Sequence, residues 1–159
     1  MLKKQLFKSA NRYASRWLVL SIDCFLVFST FIFAYLIRFN FTLDFNLTDL
    51  YIQQPLVLIL SLASFMFIGS YKGVVRHTGV KDATNVVYAV SLTAILLTIL
   101  VFVNGWLQIS PAFTIPFSII ITHFLLNVVV LISSRFVFKV LFRWAVLESK
   151  FQTNVIIYG

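Results

Sequence analysis

Charge is scarce in this 159-residue chain: 11% of the residues are charged and only five are acidic. With 60% of residues hydrophobic and a mean hydropathy of +0.96, the composition asks for a bilayer rather than water as its solvent. Cysteine is nearly absent. Cys24 is alone, inside an apolar run, so no intramolecular disulfide can form, and it reads as a small core residue. Two histidines, His77 and His123, lie in different regions, and no Cys or second His stands near enough in the pattern to complete a metal site. No catalytic constellation is visible either. An acidic pathway, an inverted repeat and a pair of broken helices are also missing, which argues against a small transporter or channel.

What is present is phenylalanine, 18 copies, and a net charge of +8. In a soluble protein such a charge suggests nucleic acid. Here the bases flank apolar runs, so membrane lipids with anionic headgroups are the expected partner and nucleic acid is not. A helix needs about 20 apolar residues to cross the hydrocarbon. Four spans are expected, at about 17–37, 55–71, 86–107 and 112–134.

The bases orient these spans. Lys3, Lys4, Lys8, Arg12 and Arg16 precede the first; Lys72, Arg76 and Lys81 follow the second; Arg135, Lys139, Arg143 and Lys150 follow the fourth. Only Arg38, beside Asp44 and Asp49, falls in the first connection, and the third connection around Gln108 to Pro111 has no charge. Four spans with both termini cytoplasmic satisfy this pattern, whereas three or five put a basic cluster outside. The first apolar run is too long for a cleaved signal peptide. A multi-pass protein of a bacterial inner membrane fits.

Residues 1–16 read as an amphipathic interfacial segment, because Lys4, Lys8, Arg12 and Arg16 recur every fourth residue and Leu2, Leu6, Tyr13 and Trp17 lie on another face. Arg135, Lys139 and Arg143 repeat the device in a helix that leaves the bilayer and continues to about Leu147. Both stripes read first as snorkelling flanks, and more sharply as surfaces that dock a soluble domain or hold a lipid phosphate. Residues 148–153 form a polar linker. Beyond it, three β-branched residues, Val155-Ile156-Ile157, followed by Tyr158 and Gly159, read as a buried strand entering a glycine turn, the opening of a nucleotide-binding βαβ unit. The fold class is therefore an all-α membrane protein, a four-transmembrane-helix bundle of 17–147 with amphipathic cytoplasmic flanks. It ends at the first strand of an absent Rossmann-like domain.

Within the spans, ionisable groups need a reason. Asp23 lies about 9 Å past Trp17 at 1.5 Å per residue. Asn127, eight residues before Arg135, reads as lying at a comparable depth, so the two form a candidate polar pair; Arg135 can also reach toward Asp23. An interhelical hydrogen bond is preferred over a proton or cation site. His123, one turn before Asn127, reads as a neutral hydrogen-bonding partner. Ser61 with Ser64, and Ser91, Ala94 and Thr98, read as close-packing faces. The loop Tyr71-Lys72-Gly73-Val74-Val75-Arg76-His77-Thr78-Gly79 is either a basic turn or, with Tyr71, Lys72, Arg76 and Lys81, a contact for a lipid or polyprenyl phosphate.

Three stretches carry a resemblance. The first span ends Ala34-Tyr35-Leu36-Ile37-Arg38-Phe39, the second ends Gly69-Ser70-Tyr71-Lys72-Gly73-Val74-Val75-Arg76, and Arg135-Phe136-Val137-Phe138-Lys139 leads on to Asn154-Val155-Ile156-Ile157-Tyr158-Gly159. Together they resemble the N-terminal region of membrane-bound nucleoside-diphosphate-sugar epimerases and 4,6-dehydratases of bacterial polysaccharide biosynthesis, the CapD-like group of capsule and O-antigen assembly. The resemblance implies a following short-chain dehydrogenase/reductase domain that binds NAD(P). That domain would convert a UDP-N-acetylhexosamine to a 4-keto-6-deoxy sugar, a lyase reaction whose hydride chemistry the nicotinamide supplies. It implies that these 159 residues are a non-catalytic anchor without a cofactor of their own, with Gly159 alone from the truncated cofactor motif, and that the anchor belongs to a homo-oligomer. Polyprenyl-phosphate sugar-1-phosphate transferases share the four-span architecture and stand as the alternative. A structural oligomerisation module is a further one.

Overall fold

The computed structural model describes the backbone of residues 2–42, 46–70, 80–108 and 113–150. Among the described residues the chain is helical, with no strand: α1 is Leu2–Arg38, α2 Leu47–Ile68, α3 Val80–Leu107 and α4 Phe117–Lys150. Each contains a stretch long and apolar enough to cross a membrane: Val19–Arg38, Leu47–Ile68, Asp82–Leu107 and Phe117–Phe138. The chain thus has the character of a multi-pass membrane protein.

The helix ends show why the elements stop where they do. α1 contains no glycine or proline, so nothing interrupts it between Leu2 and Arg38. Residues 2–16 of the expected interfacial segment are helical and continuous with the first span. α1 closes with Asn40 in the left-handed region at φ 51°, where the Phe41 N–H reaches the Leu36 carbonyl at 2.7 Å and the Asn40 N–H the Ile37 carbonyl at 3.3 Å. This double bond back onto the last turn satisfies carbonyls that the helix itself leaves open.

α2 begins at Asn46, whose side chain caps the Thr48 N–H and whose carbonyl accepts from Leu50. The expected start at Pro55 is corrected by eight residues. Asn46 and Asp49 in the first turn outweigh the proline, which is tolerated inside the helix although it cannot donate to the Tyr51 carbonyl. α2 stops at Gly69, φ 71°, before the expected Tyr71. α4 starts at Phe117, not Ala112; the Pro116 carbonyl accepts from Ile119 and Ile120. At its other end α4 holds Glu148 to Lys150, which sequence reading gave to a linker, because no breaker precedes them. Residues 151–159, including the expected strand and Gly159, lie outside the described residues. So do Tyr71, Lys72 and Arg76, and of Lys81 only the backbone, in the first turn of α3, is described.

The helices form a ring in chain order. α1 packs on α4 and α2, and α3 on α2 and α4, with no diagonal contact among the described residues. Val27, Phe31, Ala34, Phe65, Ala89, Leu97, Ile119 and Leu131 fill the centre. Lipid tails are as apolar as these side chains, so the core gains cohesion mainly from dense packing and from interhelical hydrogen bonds. Phe25, Phe33, Phe67, Ile95, Phe102, Ile121 and Val129 face outward. In water they would be an association hazard; in a bilayer they meet acyl chains.

Candidate functional site

Four of the buried polar groups, Asp23, Thr30, His123 and Asn127, lie along the seam between α1 and α4. Asp23, Val27, Thr30, Phe31 and Tyr35 recur at steps of three or four along one face of α1, so all turn toward the bundle interior. On α4, His123, Asn127, Leu131 and Arg135 do the same every fourth residue. Because the two helices run antiparallel, one rung deeper on α1 is met by one rung earlier on α4.

The outermost rung is an ion pair in which Arg135 Nη2 donates to Asp23 Oδ2, with side-chain exposures of 9% and 1%. Asp23 Oδ1 and Arg135 Nε and Nη1 have no partner among the described residues. Such a pair holds register. It carries a large desolvation cost, which mutual attraction offsets only while both partners are present. Cys24, next along α1, is half-buried.

The deeper rung is a chain of hydrogen bonds. Thr30 Oγ1 donates to Asn127 Oδ1 at 2.7 Å, and its other neighbour, the Val27 carbonyl, lies at 3.0 Å. Asn127 Nδ2 lies 2.8 Å from His123 Nε2. With Nε2 accepting, the ring hydrogen of a neutral imidazole sits on Nδ1, and the bond that His123 makes to the Val27 backbone is donated from there. The order Thr30 to Asn127 to His123 to Val27 then uses each donor once. Phe31 presses edge-on against the His123 ring, centroids 5.2 Å apart at 83°, and against Tyr35 at 5.3 Å.

α2 joins through two glutamines. The Tyr35 hydroxyl donates to Gln53 Oε1, and Gln54 Nε2 donates to the Phe28 carbonyl at 3.1 Å. Both glutamines are buried.

The structure divides the expected Asp23–Asn127 pair. Asp23 meets Arg135, and Asn127 meets Thr30, seven residues further along α1. The depth reckoning fails because Arg135 is not at the membrane edge but level with Asp23, which puts Asn127 about 12 Å deeper at 1.5 Å per residue. Thr30, Gln53 and Gln54 were missed by sequence reading. A second span starting at Pro55 leaves both glutamines outside it; Asn46 and Asp49, spaced as a helix cap and its third position, are the sequence signal that includes them. Ser61 and Ser64 are buried as close-packing residues. Ser91, Ala94 and Thr98 instead line an outward groove of about 410 Å³ between α3 and α4, and it is Thr93 that turns inward.

Chemically, the seam carries donors and acceptors that bond across helices, through Asp23 with Arg135 and Thr30 with Asn127. Among the described residues no group of three His, Cys, Asp or Glu side chains could hold a metal ion. No family model matches the chain, and no curated protein or solved structure matches it.

Proposed function

We propose that the chain is the membrane-anchoring region of a sugar-nucleotide 4,6-dehydratase/epimerase of bacterial polysaccharide biosynthesis, with both termini on the cytoplasmic side of the inner membrane. The enzyme class rests on the resemblance of the three stretches given above; the observation that carries the topology is the meeting of two basic ends. α1 and α4 are antiparallel neighbours, so the five bases before the first span and the four after the fourth belong to one side of the bundle. The positive-inside bias assigns that side to the cytoplasm, where nucleotide sugars and NAD(P) are dissolved. The seam supports an anchor rather than a pathway, since Thr30, Asn127 and His123 are linked by hydrogen bonds and Asp23 is matched by Arg135.

The chemistry belongs to residues outside these 159 and would use the NAD(P) of an attached domain. The anchor's part is to hold that domain close to lipid-linked acceptors. Membranes of the source organism, solubilised and enriched with an antibody to this chain, are expected to convert UDP-N-acetylglucosamine to a 4-keto product in a manner dependent on NAD(P). Transfer of a sugar 1-phosphate to polyprenyl phosphate, without the keto product, would assign the anchor to the transferases instead.

A further inference from the structure

We propose that the small cavity at the centre of the bundle is a binding site for a single water molecule, held by Ser61, Thr93 and Asn127. All four helices wall it, through Val27, Ser61, Thr93, His123 and Asn127 among others. Its volume is about 10 Å³. A bound water needs on the order of 10–15 Å³ and two to four polar partners, so the space admits one water and nothing larger.

The second observation is Ser61 itself. It is 2% exposed, lines the cavity, and its Oγ has no partner among the described residues. Other hydroxyls in these helices return their hydrogen to the preceding turn: Ser64 to the Leu60 carbonyl at 2.8 Å, Thr93 to Ala89 at 3.0 Å and Thr122 to Ser118 at 2.8 Å. Ser61 does not, although the same back-bond to Val57 is the ordinary resting place for a helical serine.

The donor inventory fits one water. Ser61 retains its hydroxyl hydrogen and can give it to the water. Asn127 Nδ2 has two hydrogens and uses one on His123 Nε2, leaving the other. Thr93 Oγ1 has donated to Ala89 and keeps lone pairs to accept a hydrogen from the water. A cation is disfavoured, because no carboxylate lines the cavity and Asp23 is held by Arg135 on the rung nearer the basic ends. The water extends the α1–α4 chain of hydrogen bonds to α2 and α3, so that one hydrogen-bonded node joins all four helices. This inference does not depend on which enzyme the anchor serves.

The test uses the full chain in bilayers of phosphatidylethanolamine and phosphatidylglycerol. Water-edited solid-state NMR is expected to show transfer from a long-lived water to the Asn127 side-chain amide, at a depth where the lipid-facing Ile95 and Ile121 receive none. Absence of transfer, with the Ser61 hydroxyl bonded to the Val57 carbonyl, overturns the proposal. Thermal unfolding gives a second readout with opposite signs. If water is bound, Ser61→Ala removes one of its partners and lowers Tm by about 2–4 °C. If the cavity is dry, the same change removes an orphaned hydroxyl, and Tm stays level or rises.

Discussion

Asp23 and Arg135 are the costliest residues to place in this bundle, and their energetics are asymmetric. Together they are nearly neutral relative to an apolar pair; apart, each is a buried charge without compensation. Arg135→Leu is expected to lower stability by about 3–5 kcal/mol, whereas Asp23→Leu combined with Arg135→Leu recovers most of the loss. Reversible unfolding in mixed detergent micelles measures both, and a double variant as unstable as the single one would contradict the pairing seen here. The deeper rung is gentler. A double-mutant cycle on Thr30→Val and Asn127→Leu is expected to return a coupling of about 0.6–1.7 kcal/mol, the range for hydrogen bonds between membrane helices. At this scale sequence reading found the expensive residues but not all of their partners. Asp23 and Asn127 stand out because they are polar in apolar runs. Thr30 does not, because a helical threonine ordinarily bonds to its own preceding turn and gives no sign of a partner on another helix.

The elements are governed by where helices are allowed to stop. Gly69 sits at φ 71° directly after α2, a backbone shape that penalises any Cβ. Gly69→Ala is expected to destabilise by about 1–2 kcal/mol. Gly105, within α3, would place an added Cβ in open space and does not have a positive φ. Gly105→Ala is therefore expected to stabilise by about 0.5–1 kcal/mol. Unfolding of both variants under one condition compares the two signs directly. The apolar runs announce that four helices exist, but their borders follow caps and breakers. Asn46 moved one start upstream of Pro55, Pro116 moved another downstream, and the lack of any breaker carried α1 and α4 beyond their apolar segments.

For the whole molecule, the ring order of the helices makes the arrangement of the bases a statement about sidedness. Alkaline phosphatase fused within 43–45 is expected to be active, and a fusion after Gly159 inactive, with a fluorescent protein giving the reverse. The opposite result at either site would break the four-span, cytoplasmic-ends topology. Ring packing also explains why polar groups from distant parts of the sequence converge. α1 and α4 are the first and last helices, yet they share the ion pair and the Thr30–Asn127 bond.

By itself the sequence determined the solvent, the number of membrane-crossing helices and the arrangement of the bases. Each follows from local quantities: the length of an apolar run, the cost of a charge in hydrocarbon, the position of a lysine or arginine. Only the tertiary structure decided which helices are neighbours and at what register. Asn127 belongs to Thr30 rather than Asp23 because an antiparallel pair fixes the sum of two positions, and one offset shifts every rung together. Nor does any single segment contain the Ser61 cavity. It exists because four helices meet with slightly too little side chain between them.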